Sequence, residues 1–210
     1  MLTNVGPDGR IVPPTDKQVL NNRANQLWHS DSSFKPAPAR ASLLSAREIP
    51  FEGGDTEFAS MRAAYAALPE VEKRALEGLV AIHDFAFSRS RIDPALVSDA
   101  ERGTHPPVRQ ALVLEGPCGK ALYLGAHAAR IEGMADEDGR ALIDRLMTFA
   151  TQDRFVYRHR WARHDLVLWD NRAVLHRATP FNSSQERRHM VRTTVAGGPT
   201  LAEAVPHANQ

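Results

Sequence analysis

Phe155-Val156-Tyr157-Arg158-His159-Arg160-Trp161 sets aromatic and imidazole side chains against Val and Arg at every second position. That is the period of a strand with one covered face. Leu166-Val167-Leu168-Trp169, Ala173-Val174-Leu175-His176 and His189-Met190-Val191-Arg192-Thr193-Thr194-Val195 extend the β chemistry through the C-terminal half. Further strands are expected at 25–31, at Ala41–Ile49 before Pro50, at 55–58 after the Gly53-Gly54 turn, and at 109–114 and 121–125 around Gly116-Pro117-Cys118-Gly119. Many short strands around one helical block predict a mixed α+β, mainly β fold: a β-sandwich or jelly roll with flanking helices, not a parallel α/β sheet.

Helices are expected where apolar residues fall at helical spacing. Met61, Ala64, Tyr65 and Leu68 form one such stripe. After Pro69, Val71, Leu76, Leu79 and Val80 carry an amphipathic pattern into Ile82. Asp136 precedes a helix over 137–150, with Leu142, Leu146 and Phe149 on one stripe. The chain is read as a single domain over 1–210, with an irregular lead-in at 1–24, an insertion or lid loop at 88–108 and a frayed tail at 198–210.

Composition narrows the function classes. The 26 Lys and Arg nearly balance the 25 Asp and Glu, which gives no electrostatic case for nucleic acid or an anionic membrane surface. No apolar run approaches the roughly 20 residues of a membrane span. The single cysteine, Cys118, excludes an internal disulfide and a thiolate zinc cluster, and fits a cytoplasmic protein. Homo-oligomerisation is left open.

The chemistry-bearing stretch is Asn25-Gln26-Leu27-Trp28-His29-Ser30-Asp31-Ser32-Ser33-Phe34. On a strand His29 and Asp31 point to one face and Ser30 away. A second histidine arriving from elsewhere, such as the distant His176, would complete the two-imidazole, one-carboxylate set that holds one face of a non-haem Fe(II) and leaves the other open. His-x-Asp also arises by chance, and composition alone does not single out His176. His83-Asp84 and His164-Asp165 place their side chains on opposite faces, and His105, His159 and His207 read as structural or solvated. In Arg187-Arg188-His189-Met190-Val191-Arg192, strand parity puts Arg188 and Arg192 on one face, about 13 Å apart, where they suit two different carboxylates.

Together these segments resemble the TauD/TfdA family of Fe(II)- and 2-oxoglutarate-dependent dioxygenases, from about residue 20 to 198. The matching stretches are Asn25–Phe34, Ser42–Arg47, Gly53–Phe58, Met61–Tyr65, Trp169–Arg172, His176-Arg177 and Arg187–Arg192. Trp28–Phe34 and Glu57–Tyr65 resemble the 2,4-dichlorophenoxyacetate (aryloxyalkanoate) branch more than the taurine branch. The resemblance implies a double-stranded β-helix core, Fe(II) as cofactor and 2-oxoglutarate as co-substrate. It implies His29, Asp31 and His176 as iron ligands, with Thr56 and Arg188 on the distal carboxylate of 2-oxoglutarate. Parity favours Arg188 over Arg187. Arg192 would hold the acidic group of the substrate, with Asn25 and His127 lining that pocket and Phe85, Phe87 and the 88–108 loop shaping a lid. Trp28 and Trp169 are expected to pack around the site, and no catalytic side chain beyond the iron ligands is expected.

The implied reaction converts 2-oxoglutarate and dioxygen to succinate and carbon dioxide while hydroxylating a small acidic substrate. Hydroxylation beside an ether oxygen gives a hemiacetal that breaks to a phenol and an oxoacid. Family members carry a further N-terminal region, whereas here His29 follows closely on Met1. A shortened sheet is expected to expose apolar core and strand edges. Alternatives therefore stand beside the aryloxyalkanoate reading: an alkylsulfonate or sulfate-ester dioxygenase, since Arg192 suits a sulfonate equally; a truncated, non-catalytic jelly-roll fragment; and a zinc hydrolase, in which Thr56 and Arg188 would have no role.

Overall fold

The computed structural model describes residues 1–13 and 15–201. Its strands are β1 (Leu2–Thr3), β2 (Ala39–Glu48), β3 (Thr56–Ser60), β4 (Val80–His83), β5 (Val108–Ala111), β6 (Val113–Gly116), β7 (Gly119–Leu122), β8 (Ala128–Ile131), β9 (Val156–His159), β10 (Leu166–Asp170), β11 (Val174–Ala178) and β12 (His189–Ala196). Its α-helices are α1 (Lys17–Arg23), α2 (Met61–Ala66), α3 (Glu70–Leu76), α4 (Phe85–Ser90), α5 (Asp99–Thr104) and α6 (Asp136–Ala150). The fold is mixed α/β and mostly β, and every strand pairing is antiparallel.

Two sheets build the frame of the site. A four-stranded sheet runs β1-β12-β2-β10 and a three-stranded sheet runs β11-β3-β9. In β2 the alternation Ser42, Leu44, Ala46 turns inward, beside Trp169 of β10 and Met190 of β12. These side chains meet Phe58 of β3 and Trp161 in one apolar layer between the sheets. The opposite face of the smaller sheet, through Ala59 and Leu175, joins a second core with Met61 and Leu68 beside α2 and Ile143 and Leu146 of α6. The smaller sheet is thus covered on both faces. The outward face of the larger one leaves Leu166, Leu168 and Val195 exposed.

Several expected elements differ. Over 25–31 there is no strand: α1 tightens into a 3-10 turn at Ala24–Gln26, and His29 makes an isolated bridge. The lead-in is not wholly irregular, since β1 lies in it and Asp16 caps α1 by accepting from the Gln18 amide. The helical pattern into Ile82 stops at Leu76; Gly78, at φ 77°, reverses the chain and Val80 opens β4 instead. Val80 and Ile82 therefore obey the strand period, which a short apolar run cannot announce. The 88–108 segment holds the end of α4, a 3-10 turn at Pro94–Leu96 and α5, which Ser98 and Glu101 close with a capping box. Ala135, not Asp136, is the N-cap of α6; Asp136, Glu137 and Asp138 sit in the first turn, where the helix dipole favours them. The tail from 198 lies outside the described residues beyond 201. Among the described residues no helix is long and apolar enough to cross a membrane.

Candidate active site

His29 and His176 meet by direct backbone pairing. The His29 amide donates to the His176 carbonyl at 3.0 Å and the His176 amide returns the bond at 2.9 Å. The paired residues carry rings whose centroids lie 4.2 Å apart. His176 is opposite Phe58 on β3, so its side chain enters the gap between the sheets. Gly125 permits the close approach of the preceding segment: at φ 129°, a Cβ there would stand 3.2 Å from His29 Cα and from the Trp28 carbonyl.

After His29 the chain turns sharply, with Ser32 at φ 57°, and carries Asp31 toward β2. Ser42 donates to Asp31 Oδ2 at 2.7 Å and Arg192 to Oδ1 at 2.5 Å. Asn171 ties this turn to the end of β10. Its Oδ1 accepts from the Asp31 amide at 3.2 Å and from Trp169 Nε1 at 3.0 Å, and its Nδ2 donates to Ser42 at 2.8 Å. Ser30, facing away, donates to the Asn171 carbonyl at 2.7 Å.

One ligand atom from each of His29, Asp31 and His176 lies within 4.8 Å of the other two. The donor chemistry suits a divalent metal. His29 Nδ1 lies 2.7 Å from the Leu27 carbonyl, which only accepts, so the proton sits there and the Nε2 lone pair is free. That Nε2 is buried and has no hydrogen-bond partner among the described residues. Burial lowers the His29 pKa, and burial followed by the charge of His29 lowers that of His176 to about 3, so both rings are neutral near pH 7. For Asp31 burial acts upward, but the Arg192 guanidinium and the Ser42 hydrogen bond hold its carboxyl below the usual carboxylate range. Two neutral imidazoles and an ionised carboxylate are the state that binds metal.

A cavity open to solvent extends from this cluster between the sheets, with Thr56, Arg188, Arg192 and Asn25 in its wall. Thr56 accepts from Trp161 Nε1 at 3.0 Å, leaving its hydroxyl proton to donate. Arg188 is buried, its Nε donating to the Gly54 carbonyl at 3.0 Å and its backbone held by Asn4 Oδ1 at 2.8 Å. Burial lowers its pKa to about 10, against the upward pull of Asp55, so the guanidinium stays charged. Arg187, in contrast, pairs with Glu48 at the surface. Arg192 faces inward beside Leu44, as parity predicts.

A second cavity borders His29 and Asp31 of the same cluster, sharing His29, Asn25 and Arg192 with the first. His127 lines it; its Nδ1 contacts Ser33 Oγ at 3.2 Å. Burial, then the charges of His29, His83 and Arg89, put its pKa well below the usual range. Phe85 stands behind this cavity, against Phe34 at 4.9 Å. Trp169 lies 4.6 Å from His176 and supports it, while Trp28 packs against the second core with Arg177 stacked on it at 4.5 Å.

Three residues escaped the sequence reading: Ser42, Asn171 and Arg89. Asn171 sits within the matched Trp169–Arg172 stretch and Ser42 opens the matched Ser42–Arg47 stretch, the two available signals; Arg89 carries no local pattern.

The family described as taurine catabolism dioxygenase TauD, TfdA family matches residues 5–194. The chain is 47% identical over 206 residues to an alpha-ketoglutarate-dependent 2,4-dichlorophenoxyacetate dioxygenase of Cupriavidus pinatubonensis, covering 97% of this chain and 70% of that enzyme. It is 37% identical over 216 residues to an (S)-phenoxypropionate/alpha-ketoglutarate-dioxygenase of Sphingobium herbicidovorans, covering 98% of this chain and 75% of the other. The crystal structure of AAD-2 in complex with Mn(II) and N-oxalylglycine superposes with a TM-score of 0.91 at 45% identity, over 96% of this chain and 74% of that one.

Proposed function

This chain belongs to the TauD/TfdA dioxygenase family, and from that premise we propose that it hydroxylates an aryloxyalkanoate with Fe(II), 2-oxoglutarate and dioxygen, and so cleaves the ether. The two facing antiparallel sheets support a jelly-roll core, read as one domain. His29, Asp31 and His176 hold the iron. Bound there, Fe(II) supplies the oxidising chemistry that couples decarboxylation of 2-oxoglutarate to hydroxylation beside the ether oxygen. The other residues bind and orient. Arg188 grips the distal carboxylate of 2-oxoglutarate in a dry setting, and Thr56 adds a hydroxyl hydrogen bond. N-oxalylglycine, which AAD-2 binds with Mn(II), is a dicarboxylate of nearly the same shape.

On the substrate side, Arg192 moves from Asp31 to the substrate carboxylate once Asp31 serves the metal, with Asn25 and His127 in the same wall. The single observation that carries the reading is the buried His29–Asp31–His176 cluster opening onto a cavity that also contains Thr56 and Arg188. The aromatic pair Phe34–Phe85 beside the second cavity favours an aryl substrate over an alkylsulfonate. The decisive assay measures succinate with Fe(II), ascorbate and 2-oxoglutarate across aryloxyacetates and taurine. Succinate stimulated by phenoxyacetate and not by taurine is expected; none from a cooperatively melting protein would refute the proposal.

A further inference from the structure

Arg89 occupies the second turn-half of α4, four residues after Phe85, with its guanidinium carbon 4.8 Å from the Phe85 ring centroid. The helix is anchored at the site. Asp84 caps it by accepting from the Ala86 amide at 2.7 Å, and the Asp84 amide donates to the His127 carbonyl at 2.8 Å. Arg89 thereby faces the cavity that also holds Asp31, His127, Arg192 and Phe34. Its Nε is buried and unpartnered, and among the described residues no carboxylate pairs with it. A buried donor of this kind costs free energy until an acceptor reaches it.

Asp31, the carboxylate of that cavity, already gives Oδ1 to Arg192 and Oδ2 to Ser42. Once it serves a metal, two guanidiniums face one small space without a protein anion between them. Burial lowers the Arg89 pKa, and the nearby charge of Arg192 lowers it further, which is the repulsion an arriving anion would relieve. Phe34 lines the cavity beside the cations, and Phe85 and His105 pack behind it, the three ring centroids lying 4.9 to 5.3 Å apart.

We propose that Arg89 is a specificity-determining residue that joins Arg192 in clamping the substrate carboxylate while Phe34, backed by Phe85 and His105, receives the aryl ring. This deepens the aryloxyalkanoate reading and rests on it. The test is calorimetric binding of phenoxyacetate to the full chain loaded with Mn(II) and N-oxalylglycine, compared with the uncharged ether phenoxyethanol. Arg89→Gln is expected to weaken phenoxyacetate by about tenfold or more, the worth of a hydrogen bond to a charged group. Arg89→Lys should recover part of that loss, and phenoxyethanol binding should be unchanged in both variants. An unchanged phenoxyacetate Kd in Arg89→Gln, or an equal loss for both ligands, would overturn the clamp. Wild-type protein that binds phenoxyacetate and forms no succinate sinks the functional reading while leaving the clamp standing; wild-type protein that does not bind it overturns both.

Discussion

Gly54→Ala places the smallest possible side chain against the Arg188 guanidinium. Gly54 sits at φ 67°, and a Cβ built there would meet Pro50 Cγ at 2.7 Å, Arg188 Cδ at 3.2 Å and Arg188 Nε at 3.3 Å. The left-handed backbone costs an L-residue about 1–2 kcal/mol wherever it occurs. Gly78, at φ 77° with nothing within 4 Å of its Cβ position, would incur that cost alone. The difference between Gly54→Ala and Gly78→Ala therefore holds two effects, the Pro50 clash and the displacement of Arg188 from its 3.0 Å bond to the Gly54 carbonyl, and only the second bears on a ligand of the guanidinium. Moving a charged donor off its acceptors costs about 1.5–3 kcal/mol, roughly ten- to hundredfold in affinity for 2-oxoglutarate. Urea unfolding reads the backbone cost together with the Pro50 clash, and calorimetric titration of 2-oxoglutarate into Mn(II)-loaded protein reads the displacement of Arg188. If Gly54→Ala binds 2-oxoglutarate as tightly as Gly78→Ala, Arg188 does not hold the co-substrate and the reasoning fails.

Mn(II) at about a hundred times its dissociation constant should stabilise the wild type by about 2.7 kcal/mol and His176→Ala by nothing measurable, which denaturant curves with and without metal will show. Asn171→Ala breaks the links to Asp31, Trp169 and Ser42, and is expected to lower metal affinity about ten- to hundredfold and to destabilise the fold, both readable by metal titration and melting. Burial holds His83 at about 3 in the fold against 6.5 when free, so the unfolded chain takes its proton first as pH falls. The stability from neutral His83 is complete above pH 6.5 and falls by about 1.4 kcal/mol per pH unit down to about 3, about 2 kcal/mol by pH 5. His83→Asn should flatten the acid limb of a stability-versus-pH curve by one proton.

Local periodicity carried much of the fold. Inward Ser42, Leu44 and Ala46 follow from alternation in β2; in α6 the apolar spacing found the helix and Leu146, while the fully buried line runs through Gly139, Ile143, Leu146 and Ala150, with Leu142 and Phe149 at its edge. Failures fell where a short run satisfied two periods. Val80 and Ile82 read as helix and are strand, and Asn25–Gln26 read as strand and lie in a 3-10 turn. In both places the neighbours across the fold, not the propensity of the segment, set the backbone.

What the sequence determined by itself was the list of reactive groups and their spacing: His29 and Asp31 two apart, in a turn and not on the expected strand, and Arg188 and Arg192 four apart, with only Arg192 inside β12. Tertiary structure alone decided their company. It chose His176 over the other histidines through the paired backbone at His29, engaged Asp31 with Arg192 and Ser42, made Asn171 the tie between turn and sheet, and brought Arg89 to the same cavity. The physical reason is separation along the chain. Asp31 and Arg192 are 161 residues apart, far beyond any local period, and meet only because the turn that carries Asp31, paired through His29 to β11, closes against β12 of the other sheet.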